Sequence, residues 1–305
     1  MENKIEHFKP DFFVPGAAKS GTTTLHDLLN THHDISMSKD KEPVYWNNKL
    51  FRQFKLFEVS RYANLFEKNR KIKGESTTSY MYYDSFISNI KANFEYSPKF
   101  IFVLRNPVDR YVSHVNWLKG LGLEKKDVNQ VINEDDWANF SEYDDYPKQY
   151  YQFGLYNKWI TRFIKNFGKK NIKIITFEQL ISDRLKTLNS CYEFLGVEKV
   201  DNLKFIRSNK SKKIIFPFIY HFLRKSSVGK TKCTKIVKYV LPKKIREKIK
   251  GLLKYTLQNW IAVESKNNKI TFENRKILSN VYQEDVKLLR ETFKYDFSEW
   301  EDFKL

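Results

Sequence analysis

FFVPGAAKSGTTTLHDLL, residues 12–29, runs from an apolar stretch through a turn bracketed by Gly16 and Gly21 into a segment where Leu25, Leu28 and Leu29 recur at helical spacing. The pattern predicts a strand, a turn and a helix. The first turn of such a helix carries unpaired backbone N–H groups and the positive end of the helix dipole, which together make an anion site. Gly21 permits close backbone approach, and Thr22, Thr23 and Thr24 add hydroxyl donors. The P-loop of ATP- and GTP-binding proteins shares this layout, but its Lys directly follows the second glycine. Here Thr22 holds that place and the lysine comes earlier, at Lys19. No Asp at the end of an apolar strand clearly suits a magnesium-water site. The stretch therefore reads as a phosphate cradle without the equipment for a γ-phosphate and its metal.

Working outward, KFIFVL (99–104) is a second apolar run, followed by Asn106 as a good N-cap and Pro107 suited to a first helical turn. Val108, Tyr111, Val112, Val115 and Leu118 then form an apolar stripe, which makes a second strand-to-helix junction. NIKIITF (171–177) reads as a third strand, with a helix from Ser182 to near Gly196. Strands alternating with helices predict an α/β fold of three layers, P-loop-like, with a central parallel sheet flanked by helices. We read one domain over 1–305, with a core at about 10–213 and a mostly helical portion from about 214 to 305, broken at Pro217, Gly229, Pro242 and Gly251. There is no internal repeat and no Pro/Gly/Ser-rich linker.

Composition bounds the rest. The chain has 305 residues, 41% of them hydrophobic, with 25 Phe and 18 Tyr, enough for a sizeable core. Two cysteines, Cys191 and Cys233, argue against a disulfide framework, and neither has metal-ligand spacing. The polar N-terminus lacks the apolar core of a secretory signal. The longest apolar run, IIFPFIYHFL (214–223), is too short to cross a bilayer. These features predict a soluble, cytoplasmic protein. The net charge of +19 is segregated: residues 210–254 hold fifteen Lys or Arg and one acid, Glu247, whereas 124–145 hold eight acids and two Lys. The basic block suits an anionic substrate, a membrane surface or nucleic acid, or else reflects a Lys-rich coding bias on solvated helices.

PGAAKSGTTTL resembles the 5′-phosphosulfate loop of sulfotransferases, enzymes that move a sulfuryl group from 3′-phosphoadenosine 5′-phosphosulfate (PAPS) to a hydroxyl or amine. The displaced lysine suits that chemistry. A sulfuryl group carries less negative charge than a phosphoryl group, so no metal is required, and one ammonium can stabilise the leaving 5′-phosphate. The resemblance assigns Lys19, Ser20, Gly21, Thr22, Thr23 and Thr24 to that phosphate. It assigns Arg105 and Ser113, eight residues apart in LRNPVDRYVSHVNWL, to the 3′-phosphate, where an Arg fork and a hydroxyl are apt ligands. GLYNKWITRFIKNFGKKNIKIITFEQLISDRLKTLNSCYEFLGV is similar to the family's stretch leading to its last core strand. NKSKK (209–213) falls at the basic loop that closes over the nucleotide, which makes Ser211 and Lys212 candidates.

KEPVYW (41–46) resembles the segment of carbohydrate sulfotransferases, notably the heparan sulfate type, in which a Glu deprotonates the acceptor; this implies Glu42 as general base. The resemblance thus implies a saccharide or glycolipid hydroxyl as acceptor. The Lys-x-His-x-x-x-Pro setting of the small-molecule branch is absent, and His32, His33 and His114 read as structural. The heparan enzymes also carry a Glu-Lys pair in the next strand, where GESTTSYMYY (74–83) has Glu75 and then Ser76; Glu75 either supports the loop or touches substrate. Tyr45, Trp46, Tyr80, Tyr82 and Tyr83 would form either a sugar-stacking wall or core, and the core reading is favoured. The basic segment 210–254 then gains a role toward an acidic glycan or anionic membrane. Two rivals remain: a small-molecule kinase, disfavoured by the missing Lys after Gly21, and a nucleic-acid-binding protein, which charge alone supports.

Overall fold

The computed structural model describes residues 6–48, 51–53, 56–133, 148–203, 212–214, 262–264 and 269–304. Five parallel strands form the central sheet: β1 (Phe12–Gly16), β2 (Ile35–Met37), β3 (Ile72–Ser76), β4 (Lys99–Leu104) and β5 (Ile172–Thr176), in the order β2-β3-β1-β4-β5. The helices between them are α1 (Thr22–Leu29), α2 (Leu56–Ala63), α3 (Asp84–Asn93), α4 (Pro107–Gly120), α5 (Val128–Ile132) and α6 (Tyr156–Phe167). After β5 come α7 (Phe177–Ser182), α8 (Arg184–Leu195), β6 (Lys212–Ile214), β7 (Ala262–Glu264) and α9 (Phe272–Phe293). The order reverses at β1, whose successors lie on both sides of it. In open parallel sheets ligands bind at such a switch point, beyond the carboxyl ends of the strands.

The strands' alternation divides the two faces by side-chain type. Phe12 and Val14 of β1, Ile101 and Val103 of β4 and Ile175 of β5 join Leu25, Leu28 and Leu29 of α1 and Leu188, Cys191 and Leu195 of α8 in a mainly aliphatic core. The intervening residues build an aromatic one: Phe13 lies edge-on to Phe86 of α3 (5.3 Å between ring centroids), and Phe100 and Phe102 meet Phe163 of α6 at 5.2 and 5.0 Å. A run such as KFIFVL is apolar at every position because both faces are covered.

Two compact units divide the chain: Met1–His114 with Asp135–Ser208 and Thr271–Leu305, which contains the sheet, and Val115–Glu134 with Asn209–Ile270. In the second unit β6 and β7 pair antiparallel. There α5 opens on a capping box in which Asp127 accepts from Asn129 and Gln130 N–H while Gln130 accepts from Asp127 N–H. Within the portion read as mostly helical, the described residues form β7, α9 and a short 3₁₀ turn at Glu301–Phe303. The stretch 74–83, treated as strand, is strand only to Ser76 and then turns as a 3₁₀ helix over Thr78–Met81. The helix expected from Ser182 to near Gly196 is α8, capped by Asp183, which accepts from Lys186 N–H; a short helix that was not expected, α7, precedes it and starts at Phe177 under a Thr176–Gln179 capping box. No helix among the described residues is long and apolar enough to cross a membrane.

Candidate active site

Every sequence-assigned residue of the first junction lies at the carboxyl edge of the sheet. The loop from β1 to α1 is tied down behind: Ala17 N–H donates to Val103 O (2.8 Å) and Ala18 N–H to the Tyr82 hydroxyl (3.2 Å). Tyr82 is held in turn by stacking on Phe153 at 3.8 Å. Gly21, at φ +90°, occupies the N-cap of α1, and no side chain caps the helix. A Cβ at Gly21 would lie 2.5 Å from Phe177 Cδ2, so both the backbone conformation and the space require glycine there. Ser20 and Thr22 are buried, Thr23 is exposed and Thr24 half-buried. The first-turn N–H groups and the hydroxyls thus form a cradle that fits an anionic ester.

Lys19 sits in this loop at φ +69°, a left-handed conformation that costs a non-glycine residue about 1–2 kcal/mol. Its pKa falls to about 8, first through burial and then through the charges of Lys41, Arg105 and Arg110, partly opposed by Glu42. Three cations from β2's following loop, the end of β4 and α4 therefore converge on the lysine. Arg110 lies wholly inside the protein: its guanidinium donates to Tyr150 O and to His114 Nδ1 (3.3 Å), its Nε has no hydrogen-bond partner, and it forms no ion pair with a described residue. A cation cluster that is buried at Arg110, half-buried at Lys19, Lys41 and Arg105, and short of carboxylates favours an incoming anion.

The second junction is built as the sequence predicts. Asn106 Oδ1 accepts from Val108 N–H (3.0 Å), and α4 starts at Pro107. Arg105 is half-buried at the end of β4 with its guanidinium 4.9 Å from the centre of the Phe177 ring. Phe177 thereby links Gly21 of the cradle to Arg105. The Tyr156 hydroxyl holds Arg105 O at 2.8 Å, and α6 beneath it is anchored from α9: Asp285 accepts from Asn157 N–H (2.9 Å) and Lys158 N–H (3.1 Å). Burial raises the Asp285 carboxyl to about 6 against those bonds. A shallow pocket lined by Arg105, Asp109, Phe177, Glu178, Ile181 and Ser182 opens here. Ser113 lies half-buried on α4, and no hydrogen bond among the described residues joins it to Arg105.

Glu42 reaches the same edge by a different route. Its N–H donates to Ser76 O (2.9 Å) at the end of β3, and its backbone adopts φ +61°. The carboxylate accepts from the Thr78 hydroxyl (3.0 Å), Thr78 N–H (3.3 Å) and the Lys41 ammonium (2.8 Å). Lys19 and Glu42, the two residues assigned chemistry, both stand in a strained left-handed conformation.

Glu75 proves to be a supporting residue. It is fully buried, accepts from the Tyr62 hydroxyl and from Thr77 Oγ1 (2.7 Å), and burial raises its pKa to about 7. The aromatic set is core, with Trp46, Tyr80 and Tyr82 at most 1% exposed. His32 spends both ring nitrogens internally, one accepting from Asp34 N–H and the other donating to Glu198 O, and His114 accepts from Arg110. Ser211 and nearly all of the basic block 210–254 lie outside the described residues; for Lys212 only the strand backbone is described.

Sequence reasoning missed Lys41, Thr78, Arg110 and Phe177. Lys41 and Thr78 stand next to residues already singled out, and Arg110 shares a helical face with His114, a pair of polar residues along an otherwise apolar stripe.

Comparison with known proteins agrees with this geometry. The sulfotransferase domain model matches residues 9–290. Carbohydrate sulfotransferase 15 of Rattus norvegicus is 23% identical over 254 residues, covering 63% of this chain and 45% of the relative. Heparan sulfate glucosamine 3-O-sulfotransferase 3B1 of Homo sapiens is 25% identical over 213 residues, covering 67% and 50%. The chain thus spans about half the length of these curated relatives. A solved sulfotransferase from Alicyclobacillus acidocaldarius superposes with a TM-score of 0.65 at 20% identity, over 96% of this chain and 99% of that one, and so shares the fold. With a family model matched along most of its length and a parallel sheet that ends in a lysine-bearing anion cradle, the chain belongs to the sulfotransferase family.

Proposed function

We propose that the chain transfers a sulfuryl group from PAPS to a saccharide hydroxyl. One observation carries the reading: Lys19 is depressed to about 8 in a cradle where Arg105 and Arg110 add further positive charge, a site whose electrostatics improve when a polyanion enters. The names of the matched carbohydrate and heparan sulfate relatives support the saccharide acceptor.

PAPS, when bound, supplies the activated sulfuryl group and leaves as the 3′,5′-bisphosphate. The residues of this chain do the rest. The backbone of Gly21 to Thr24 and the hydroxyls of Ser20, Thr22, Thr23 and Thr24 hold the 5′-phosphate, and Lys19 stabilises the charge that collects there. Arg105 and Ser113 hold the 3′-phosphate and set register. Glu42 takes the proton of the acceptor hydroxyl as that oxygen engages sulfur, a role that typically contributes about 10²- to 10⁴-fold. No metal is needed for these steps.

Thermal unfolding with 3′,5′-adenosine bisphosphate (PAP), beside ATP with magnesium and each with and without chelator, tests the reading. At about 100 times its dissociation constant PAP adds about 2.7 kcal/mol, an easily measured shift. A metal-independent shift with PAP is expected. A shift confined to magnesium-ATP overturns the proposal in favour of a kinase.

A further inference from the structure

The segment that delivers Glu42 carries a second charged residue to the same place. Ser38 N–H donates to Gly74 O and Glu42 N–H to Ser76 O, both at 2.9 Å, so the chain beyond β2 keeps alongside β3 and brings residues 41 and 42 to the carboxyl edge. The Lys41 side chain is only 21% exposed, and its ammonium lies 2.8 Å from Glu42 Oε1. Among charged groups Lys41 acts most strongly on Lys19, on His26 one turn into α1, and on Asp27 beside it. The ammonium is thus held by the Glu42 carboxylate at the edge of the sheet that carries the phosphate cradle, and its charge bears on Lys19 and the first turns of α1.

Two ammonium groups, Lys19 and Lys41, thus repel one another across a space in which Glu42 is the acid that acts on Lys19. We propose that Lys41 binds the sulfuryl group in transit, its ammonium meeting the sulfuryl oxygens while Lys19 serves the 5′-phosphate left behind. The inference rests on the PAPS-dependent reading above. Its geometry follows from the order of the reacting parts. The transferred group must lie between the base, which meets the acceptor hydroxyl, and the cradle, which keeps the phosphate. Lys41 is the cation paired with the base and coupled to the cradle. When its ammonium turns from Glu42 to the sulfuryl oxygens, the carboxylate is released from that contact and can meet the acceptor hydroxyl. Thr78 keeps the carboxylate in place through that exchange, by bonds of 3.0 and 3.3 Å from its hydroxyl and N–H.

PAP and PAPS differ at the sulfuryl group, so binding of the two without acceptor isolates the contact. In calorimetry on the full chain, Lys41→Met is expected to bind PAP within about twofold of wild type and PAPS about tenfold more weakly, with Lys41→Arg recovering most of the loss. Turnover of Lys41→Met should fall on the order of 10²-fold, the usual effect of removing one donor aimed at developing charge. Three results overturn the inference: unchanged affinity for both nucleotides, equal weakening of both, or slowed turnover with PAPS affinity intact, which would confine Lys41 to an effect through Glu42. A wild-type chain that binds neither nucleotide overturns the donor reading, and this inference with it.

Discussion

Lys19 should make the ligand-free protein less stable than it need be, and Lys19→Met measures by how much. Burial, with the charges of Lys41, Arg105 and Arg110, lowers the lysine's pKa from 10.5 to about 8. At about 1.4 kcal/mol per pH unit, that fall corresponds to about 3 kcal/mol of unfavourable free energy when the folded chain holds the ammonium charged at neutral pH. Methionine keeps the apolar stem and drops the charge. The variant is therefore expected to gain up to about 3 kcal/mol in the absence of nucleotide, reduced by whatever contacts the ammonium makes. The pH dependence fixes the cause. Because the folded pKa lies below the unfolded one, the unfolded chain binds more protons between about pH 8 and 10.5, and wild-type stability rises across that window. The advantage of the variant should thus be full below pH 8 and shrink steadily toward pH 10. Urea unfolding of both proteins at pH 7, 8, 9 and 10 reads this difference, and titrations common to both cancel. Nucleotide should reverse the ranking, since PAP would stabilise wild type far more than the variant. A variant less stable than wild type at pH 7, or a gap that does not change with pH, refutes the reasoning.

Four further substitutions probe the rest of the site. Gly21→Ala places a Cβ at φ +90° and 2.5 Å from the Phe177 ring, so about 1–2 kcal/mol of backbone strain and at least a tenfold loss of PAP affinity are expected; unaltered affinity in calorimetry would argue against close approach of the loop to its ligand. Arg105→Ala removes the charged donor proposed for the second phosphate, which predicts about 10- to 100-fold weaker PAP binding with a smaller change in kcat, and a kcat effect larger than the affinity effect would contradict the assignment. Glu42→Gln should retain PAP binding while losing transfer, and an active Glu42→Gln enzyme excludes Glu42 as the base. Asp285→Ala strips the start of α6 of its acceptor for Asn157 and Lys158 N–H, for which urea unfolding should show a loss of about 1–2 kcal/mol; no loss would mean that water caps the helix as well.

Residues 12–29, 99–120 and 171–177 were legible because the physics there is local. A strand covered on both faces must be apolar throughout, a helix must turn its leucines to one side, and Asn-Pro marks a helix start by capping geometry and a fixed φ. The edge strand β2 has three residues and β3 reads IKGES, too short and mixed for periodicity to reveal either without neighbours. Position 183 shows the limit of boundary reading: Asp183 caps α8 one residue after the expected start, while Thr176 and Gln179 had already opened α7.

By itself, then, the sequence determined the fold class, the two strand-to-helix junctions and the lysine that sets this cradle apart from a P-loop, because each follows from contacts within some twenty residues. Only the tertiary structure decided that Glu75 is a buried prop, that Phe177 stands between Gly21 and Arg105, and that burial, with the charges of Lys41, Arg105 and Arg110, depresses Lys19. Those properties depend on charge separations and excluded water among residues 19, 41, 42, 105 and 110. Distances across ninety residues of chain exist only once the parallel sheet has brought its strand ends to one edge.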